Sequence, residues 1–167
     1  MLPPGVIPQR PGPGQESVWD YPRPPRVEVA HRYVVVRFGG AVLVDTTAAL
    51  RVLETSHPPT WYLPRSSFLE GSLRPADGTS FCEFKGLARY LDVVVGDQVA
   101  ERAAWYYPEP TAGFESLRDH VALYPAAMDL VTVDGVAVQP QEGGFYGGWI
   151  TPDVVGPFKG GPGSRGW

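Results

Sequence analysis

The chain has 167 residues, a formal charge of −4 and a pI near 5.3. That length suits one domain with a substantial core, since domains typically run to about 100–150 residues. The acidic balance, with no cluster of Lys and Arg, excludes the electrostatic footprint that a phosphate backbone demands, so nucleic acid is not an expected partner.

Residues 1–17, "MLPPGVIPQRPGPGQES", are dominated by Pro, Gly and polar side chains. Such a composition buries too little surface to offset the entropy of ordering, and the expectation is a flexible arm. Its start lacks the charged, apolar, small-residue order of a secretory signal, and no run approaches the ~20 apolar residues of a membrane span. A cytoplasmic location away from membranes is therefore expected. The single cysteine, Cys82, has no internal disulfide partner, in keeping with a reducing compartment.

From residue 18 to 140 the sequence predicts a mainly β domain. Three turn dipeptides sit between β-branched runs: Gly39-Gly40 in "RYVVVRFGGAVLVD", Gly96-Asp97 in "LDVVVGDQVAER" and Asp134-Gly135 in "LVTVDGVAV". Each suits a two-residue hairpin. "WYLPRSSF" and "HVALYP" read as further strands. One short helix is predicted over Thr46–Glu54, where Ala49, Leu50, Val52 and Leu53 crowd one side and Asp45-Thr46-Thr47 offers capping oxygens. So many strands in one domain favour a closed or tent-like sheet over a flat open one. Residues 141–167 are again rich in Gly and Pro, yet they carry Trp149, Ile150, Val154, Val155, Phe158 and Trp167, side chains that are costly to leave in water. This tail is expected to lie on the body or on a partner chain, the latter giving a homo-oligomer.

The second hairpin directs attention to a site. With Val95 opposite Gln98, a regular ladder places Leu91 opposite Arg102, Ala88 opposite Trp105, Gly86 opposite Tyr107 and Lys85 opposite Pro108. Alternation then puts Trp105 and Tyr107 on one face above small residues, forming an aromatic slot. Polar groups that could serve it are Glu54, Tyr62, Arg65, Cys82, Glu83 and Lys85. A cysteine nucleophile needs a nearby cation or base, and Lys85 supplies the charge. The same residues also suit plain packing: aromatics over small residues in a β core, and a lone cysteine as a small buried hydrophobe. His31, His57 and His120 are far apart in no recognisable motif and read as surface or loop histidines. No CxxC, HxxxH or close carboxylate cluster is present, so neither a metal nor another cofactor is expected. "GGPGSRGW" and "GGFYGGW" lack the features of a phosphate loop and read as turns.

The segments "GGAVLVDT", "LRVLET", "TWYLPRSSF", "FCEFKGLARYLDV", "AAWYYPEP" and "HVALYP…VDG" together resemble the bacterial DUF427 family, a domain of unknown function sometimes labelled a nucleotidyltransferase. The resemblance covers roughly residues 27–138. Its most specific pieces are Cys-x-x-Lys-Gly at Cys82–Gly86 and Trp-x-Tyr-x-x-Pro at Trp105–Pro110. The tail "GGWITPDVVGPFKGGPG" is similar to an extension found in actinobacterial-type members. The resemblance implies a β-tent-like pair of antiparallel sheets with an aromatic pocket between them. This chain lacks the paired cysteines with which zinc-binding tent proteins hold their metal.

The functional expectation is a small-molecule-binding domain. Glu54, Cys82 and Lys85 are its candidate catalytic groups, and Tyr62, Arg65, Trp105 and Tyr107 its candidate ligand-binding groups. The alternative is a non-catalytic module that captures a peptide or modified side chain in the aromatic slot.

Overall fold

The computed structural model describes all 167 residues. Fifteen strands follow in chain order: β1 Glu16–Ser17, β2 Arg26–Val29, β3 Val34–Phe38, β4 Ala41–Thr46, β5 Leu50–Leu53, β6 Thr60–Pro64, β7 Leu73–Cys82, β8 Gly86–Val95, β9 Gln98–Tyr106, β10 His120–Leu123, β11 Leu130–Val133, β12 Val136–Ala137, β13 Gln139–Pro140, β14 Trp149–Ile150 and β15 Val154–Val155. They form a seven-stranded sheet, β2-β5-β6-β10-β9-β8-β7, and a four-stranded sheet, β12-β11-β3-β4, with two short two-stranded pairs, β1-β15 and β13-β14. The mainly β class and the antiparallel character of the two larger sheets agree with the sequence reading. All three hairpins form where the turn dipeptides stand. Positive φ at Gly39 (61°), Gly40 (80°), Asp134 (49°) and Gly135 (81°) supplies the conformation that primed turns require.

The predicted helix is absent. Leu50–Leu53 is strand β5, flanked by β2 and β6, and the only helical turns are three-residue 3-10 segments at 18–20, 65–67, 115–117 and 125–127. All four residues of β5 are buried. That burial is possible because the Arg51 guanidinium donates to Glu28 and Glu16 and so is charge-paired where it leaves water. Thr46, read as a helix cap, instead accepts from the Ala48 amide at 3.0 Å in a tight turn.

Alternation in the seven-stranded sheet divides core from site. Trp61 and Leu63 of β6, Leu91 and Val93 of β8, Ala104 of β9, and Val121 and Leu123 of β10 face the four-stranded sheet. There they pack with Val34, Val36, Leu43, Val44, Val131 and Val133 in the main core. The residues between them, Tyr62, Tyr90, Trp105 and Ala122, point the opposite way into a second cluster with Leu50, Val52, Ala88, Tyr107, Phe114 and Leu117. One face of the sheet is core, and the other is an aromatic floor.

The C-terminal segment reaches both faces, Gly147 lying against Trp105 of the floor and Trp149 entering the main core. Trp149 is fully buried and stacks on Trp61 with centroids 5.4 Å apart and planes at 13°. Its amide donates to the Pro59 carbonyl at 2.8 Å. The N-terminal residues run along the same segment: Glu16 and Ser17 pair with Val154 and Val155, the Gln9 amide donates to the Gly156 carbonyl at 2.8 Å, and Gln15 Nε2 donates to the Pro152 carbonyl at 2.9 Å. No helix is long and apolar enough to cross a membrane.

Candidate functional site

The register of the β8–β9 hairpin decides how the aromatics meet the Cys82 turn. It begins with Val95 opposite Gln98, then departs from a regular ladder: Val93 pairs Ala100, but Leu91 pairs Ala104 and Tyr90 pairs Trp105. The expected pairs Leu91–Arg102 and Ala88–Trp105 are therefore corrected by two positions. A bulge is the cause. Arg102 takes φ 51°, its amide donates to the Asp92 carboxylate at 2.8 Å, and its guanidinium lies over the Tyr90 ring at 4.3 Å. A slip of two keeps side-chain parity, so Trp105 and Tyr107 stay on the same face.

Gly86, placed opposite Tyr107 by the regular ladder, lies instead against Glu109 and Thr111: a Cβ there would stand 3.4 Å from the Glu109 carbonyl. The Thr111 amide donates to the Lys85 carbonyl at 3.1 Å, and the Thr111 hydroxyl donates to the Phe84 carbonyl. The "YYPEPT" segment thereby pins the Cys82–Gly86 turn to the end of β9.

These elements enclose a cleft of about 320 Å³. Of the seven predicted site residues, Glu54, Tyr62, Cys82, Lys85, Trp105 and Tyr107 all line it. Arg65 does not. It opens the 3-10 turn after Pro64, and its guanidinium sits 5.0 Å from the ring of Tyr106, a residue that packs with the main core on the other side of the sheet.

The tyrosines form the floor. Tyr62 and Tyr107 have ring centroids 6.3 Å apart, and Trp105 lies 4.6 Å from Tyr124. Burial raises the pKa of Tyr62 and of Tyr107 above the ordinary phenol value and pushes Tyr124 up to about 12, so all three keep their protons at neutral pH and can donate hydrogen bonds. The Lys85 ammonium lies 5.9 Å from the Tyr107 centroid. Burial alone would pull it down, but Tyr62, then Cys82 and Glu54, outweigh that effect, and the net shift is upward. A charged Lys85 in this position is suited to stabilising negative charge.

His57, read from sequence as a surface or loop histidine, does lie in the loop between β5 and β6, but it is mostly buried there and lines the cleft. Its pKa falls to about 4, chiefly through burial, with Lys159, Arg23 and Lys85 adding to the effect and Glu54 opposing it. The neutral ring fits its neighbours. Gln141 Nε2 lies 3.3 Å from Nδ1, which accepts, leaving Nε2–H toward Glu54 Oε2 at 3.6 Å. Glu54 is also held by Arg23 at 3.3 Å.

Gln141, Phe145, Tyr146, Gly147 and Lys159 complete the lining from the C-terminal segment. Gly147 is there because nothing larger fits: a Cβ would stand 2.2 Å from a Trp105 ring carbon. Gln141 joins the wall internally, accepting from the Gly148 amide at 3.1 Å and donating to the Lys159 carbonyl at 2.7 Å.

Residues 26–134 match the family model described as Domain of unknown function (DUF427), which also carries a nucleotidyltransferase-type label. The chain belongs to the DUF427 family. No curated protein matches it. Within the DUF427 match lie Glu54, Tyr62, Cys82, Lys85, Trp105 and Tyr107; the wall formed by Gln141, Phe145, Tyr146, Gly147 and Lys159 lies beyond it. The DUF427 region thus supplies the floor together with Glu54, Cys82 and Lys85, and the segment beyond the match supplies the facing wall. No group of three or more His, Cys, Asp or Glu side chains is arranged to hold a metal ion.

Proposed function

We propose that this protein binds a small molecule in the cleft on the back face of the seven-stranded sheet, with Cys82 and Lys85 beneath it and Glu54 at its edge as the candidate reactive groups. The observation that carries the reading is convergence: residues from β5–β6, the β7–β8 turn, β9 and the C-terminal segment meet around one concave space at the size expected of a small-ligand site. An aromatic floor with a few converging polar groups is what such sites use to gain area and fix orientation. The chemistry at hand is proton donation by Tyr62 or Tyr107, electrostatic stabilisation by Lys85 and the thiol of Cys82.

A fragment screen followed by amide chemical shifts tests this. Hits should move the resonances of Tyr62, Cys82, Lys85, Trp105 and Tyr107 together. Hits that cluster instead on the exposed face of β3, β4 and β11 would refute it.

A second reading, capture of a peptide, draws on Phe81 and Phe145, which line the cleft while remaining 76% and 67% exposed. Under that reading, Phe81→Ala with Phe145→Ala should abolish retention of peptides by the protein. Under the small-molecule reading the double variant keeps its fragment hits.

A further inference from the structure

The charged groups of the cleft are unequally committed. The Glu54 carboxylate is held by Arg23 and lies beside His57, and the Lys159 ammonium donates to the main-chain oxygen of Trp167 at 2.8 Å. Glu83 stands in the exposed turn, its carboxylate free to hydrate. Lys85 differs. None of the eight ion pairs in the molecule involves it, so no carboxylate lies within 4.0 Å; its near neighbours are Tyr62, Tyr107 and the Cys82 thiol, with the Glu54 carboxylate farther off. A half-buried lysine with no carboxylate in contact leaves its ammonium open to an anionic group in the cleft.

The walls specify the rest of the ligand. Tyr62, Trp105 and Tyr107 from the sheet and Phe145 and Tyr146 from the C-terminal segment offer ring faces and edges to the cleft, and these select flat, conjugated surfaces. One uncommitted cation matches one negative group. A polyphosphate would call for several uncommitted cations, and the second lysine of the cleft, Lys159, is already engaged by Trp167.

Resting on the reading of the cleft as a small-molecule site, we propose that its ligand is a small planar acid, seated with its anionic group on the Lys85 ammonium and its ring system between the aromatic walls. Lys85 is then the residue that chooses acids over their neutral counterparts, and Trp105 and Tyr146 choose flat molecules over bulky ones.

Two near-isosteric probes isolate the charge: 2-naphthoate and 2-naphthamide, with 2-naphthylmethylammonium as the opposite sign. Each is titrated into the full chain at neutral pH and followed by amide chemical shifts. The carboxylate should bind at least about tenfold more tightly than the amide, and the ammonium more weakly than both, with shifts centred on Lys85, Trp105 and Tyr107. Lys85→Met should bring the carboxylate down to the level of the amide while leaving the amide within about twofold, and Lys85→Arg should restore the preference. Should Lys85→Met not fold, the wild-type ranking and the arginine variant still decide. Equal binding of carboxylate and amide in the cleft overturns the acid and leaves the cleft as a small-molecule site. Failure of all three probes to perturb cleft resonances overturns both.

Discussion

Replacing Trp149 by alanine should lower the unfolding free energy by about 3–5 kcal/mol, the range for removing a large aromatic from a core that cannot collapse onto the space. Trp149 has no exposed surface, stacks on Trp61, belongs to the main core cluster and carries a backbone hydrogen bond to Pro59. In a domain of this size the loss corresponds to a melting temperature roughly 10 °C lower. Phe145→Ala, four residues earlier in the same segment but 67% exposed, should cost less than about 1 kcal/mol. Paired urea melts check both. Similar costs for the two would mean that the C-terminal segment is not anchored through Trp149. The result bears on function as well as stability, because this anchor holds the Gln141–Lys159 wall against the floor.

The second large effect is one of pH. His57 has its pKa lowered from 6.5 to about 4, mainly by burial. Between those values the unfolded chain binds a proton that the folded chain refuses, so this histidine's contribution to stability is complete above about pH 6.5 and is lost as the pH falls toward 4. A shift of that size is worth up to about 3 kcal/mol. The Tyr33 amide and then Arg32 hold Asp134, and Thr151 with Arg32 holds Asp153 against the opposing effect of burial, below the ordinary carboxylate range; those losses come later, in stronger acid. Unfolding free energies of the wild type and His57→Gln, measured at intervals from pH 7.5 to 4, should therefore converge as the pH drops. Parallel curves would show that His57 titrates normally in the folded protein.

How much of this was legible depended on whether the information was local. The hairpins were, because Gly39-Gly40, Gly96-Asp97 and Asp134-Gly135 are turn formers whatever surrounds them. Strand β5 was not. "LRVL" carries an arginine in the middle, and only the distant Glu16 and Glu28 make its burial tolerable. The face of Trp105 and Tyr107 was read correctly although their partners were not, since the bulge at Asp92 and Arg102 moves the ladder by an even number. Arg65 was misplaced because its turn comes immediately after Pro64 and ends the strand alternation. Tyr146 and Lys159 could not be found from spacing, as the C-terminal segment brings them to the cleft from far along the chain, and His57, only three residues from Glu54, is covered by Gln141 and Tyr146 of that same segment. A faint signal for that closure stood in "GGW": Gly147 presses on Trp105, and a Cβ at Gly148 would stand 2.7 Å from the Pro58 carbonyl.

On the proposal above, ligands enter the back face of the seven-stranded sheet and come to rest above Lys85. A crystal of the full chain soaked in 2-naphthoate tests it most directly. Density is expected beside Trp105 and Tyr146, with the carboxylate within hydrogen-bond reach, about 2.7–3.2 Å, of the Lys85 ammonium. An empty cleft with the probe bound elsewhere, or a probe seated with its carboxylate turned away from Lys85, would contradict it.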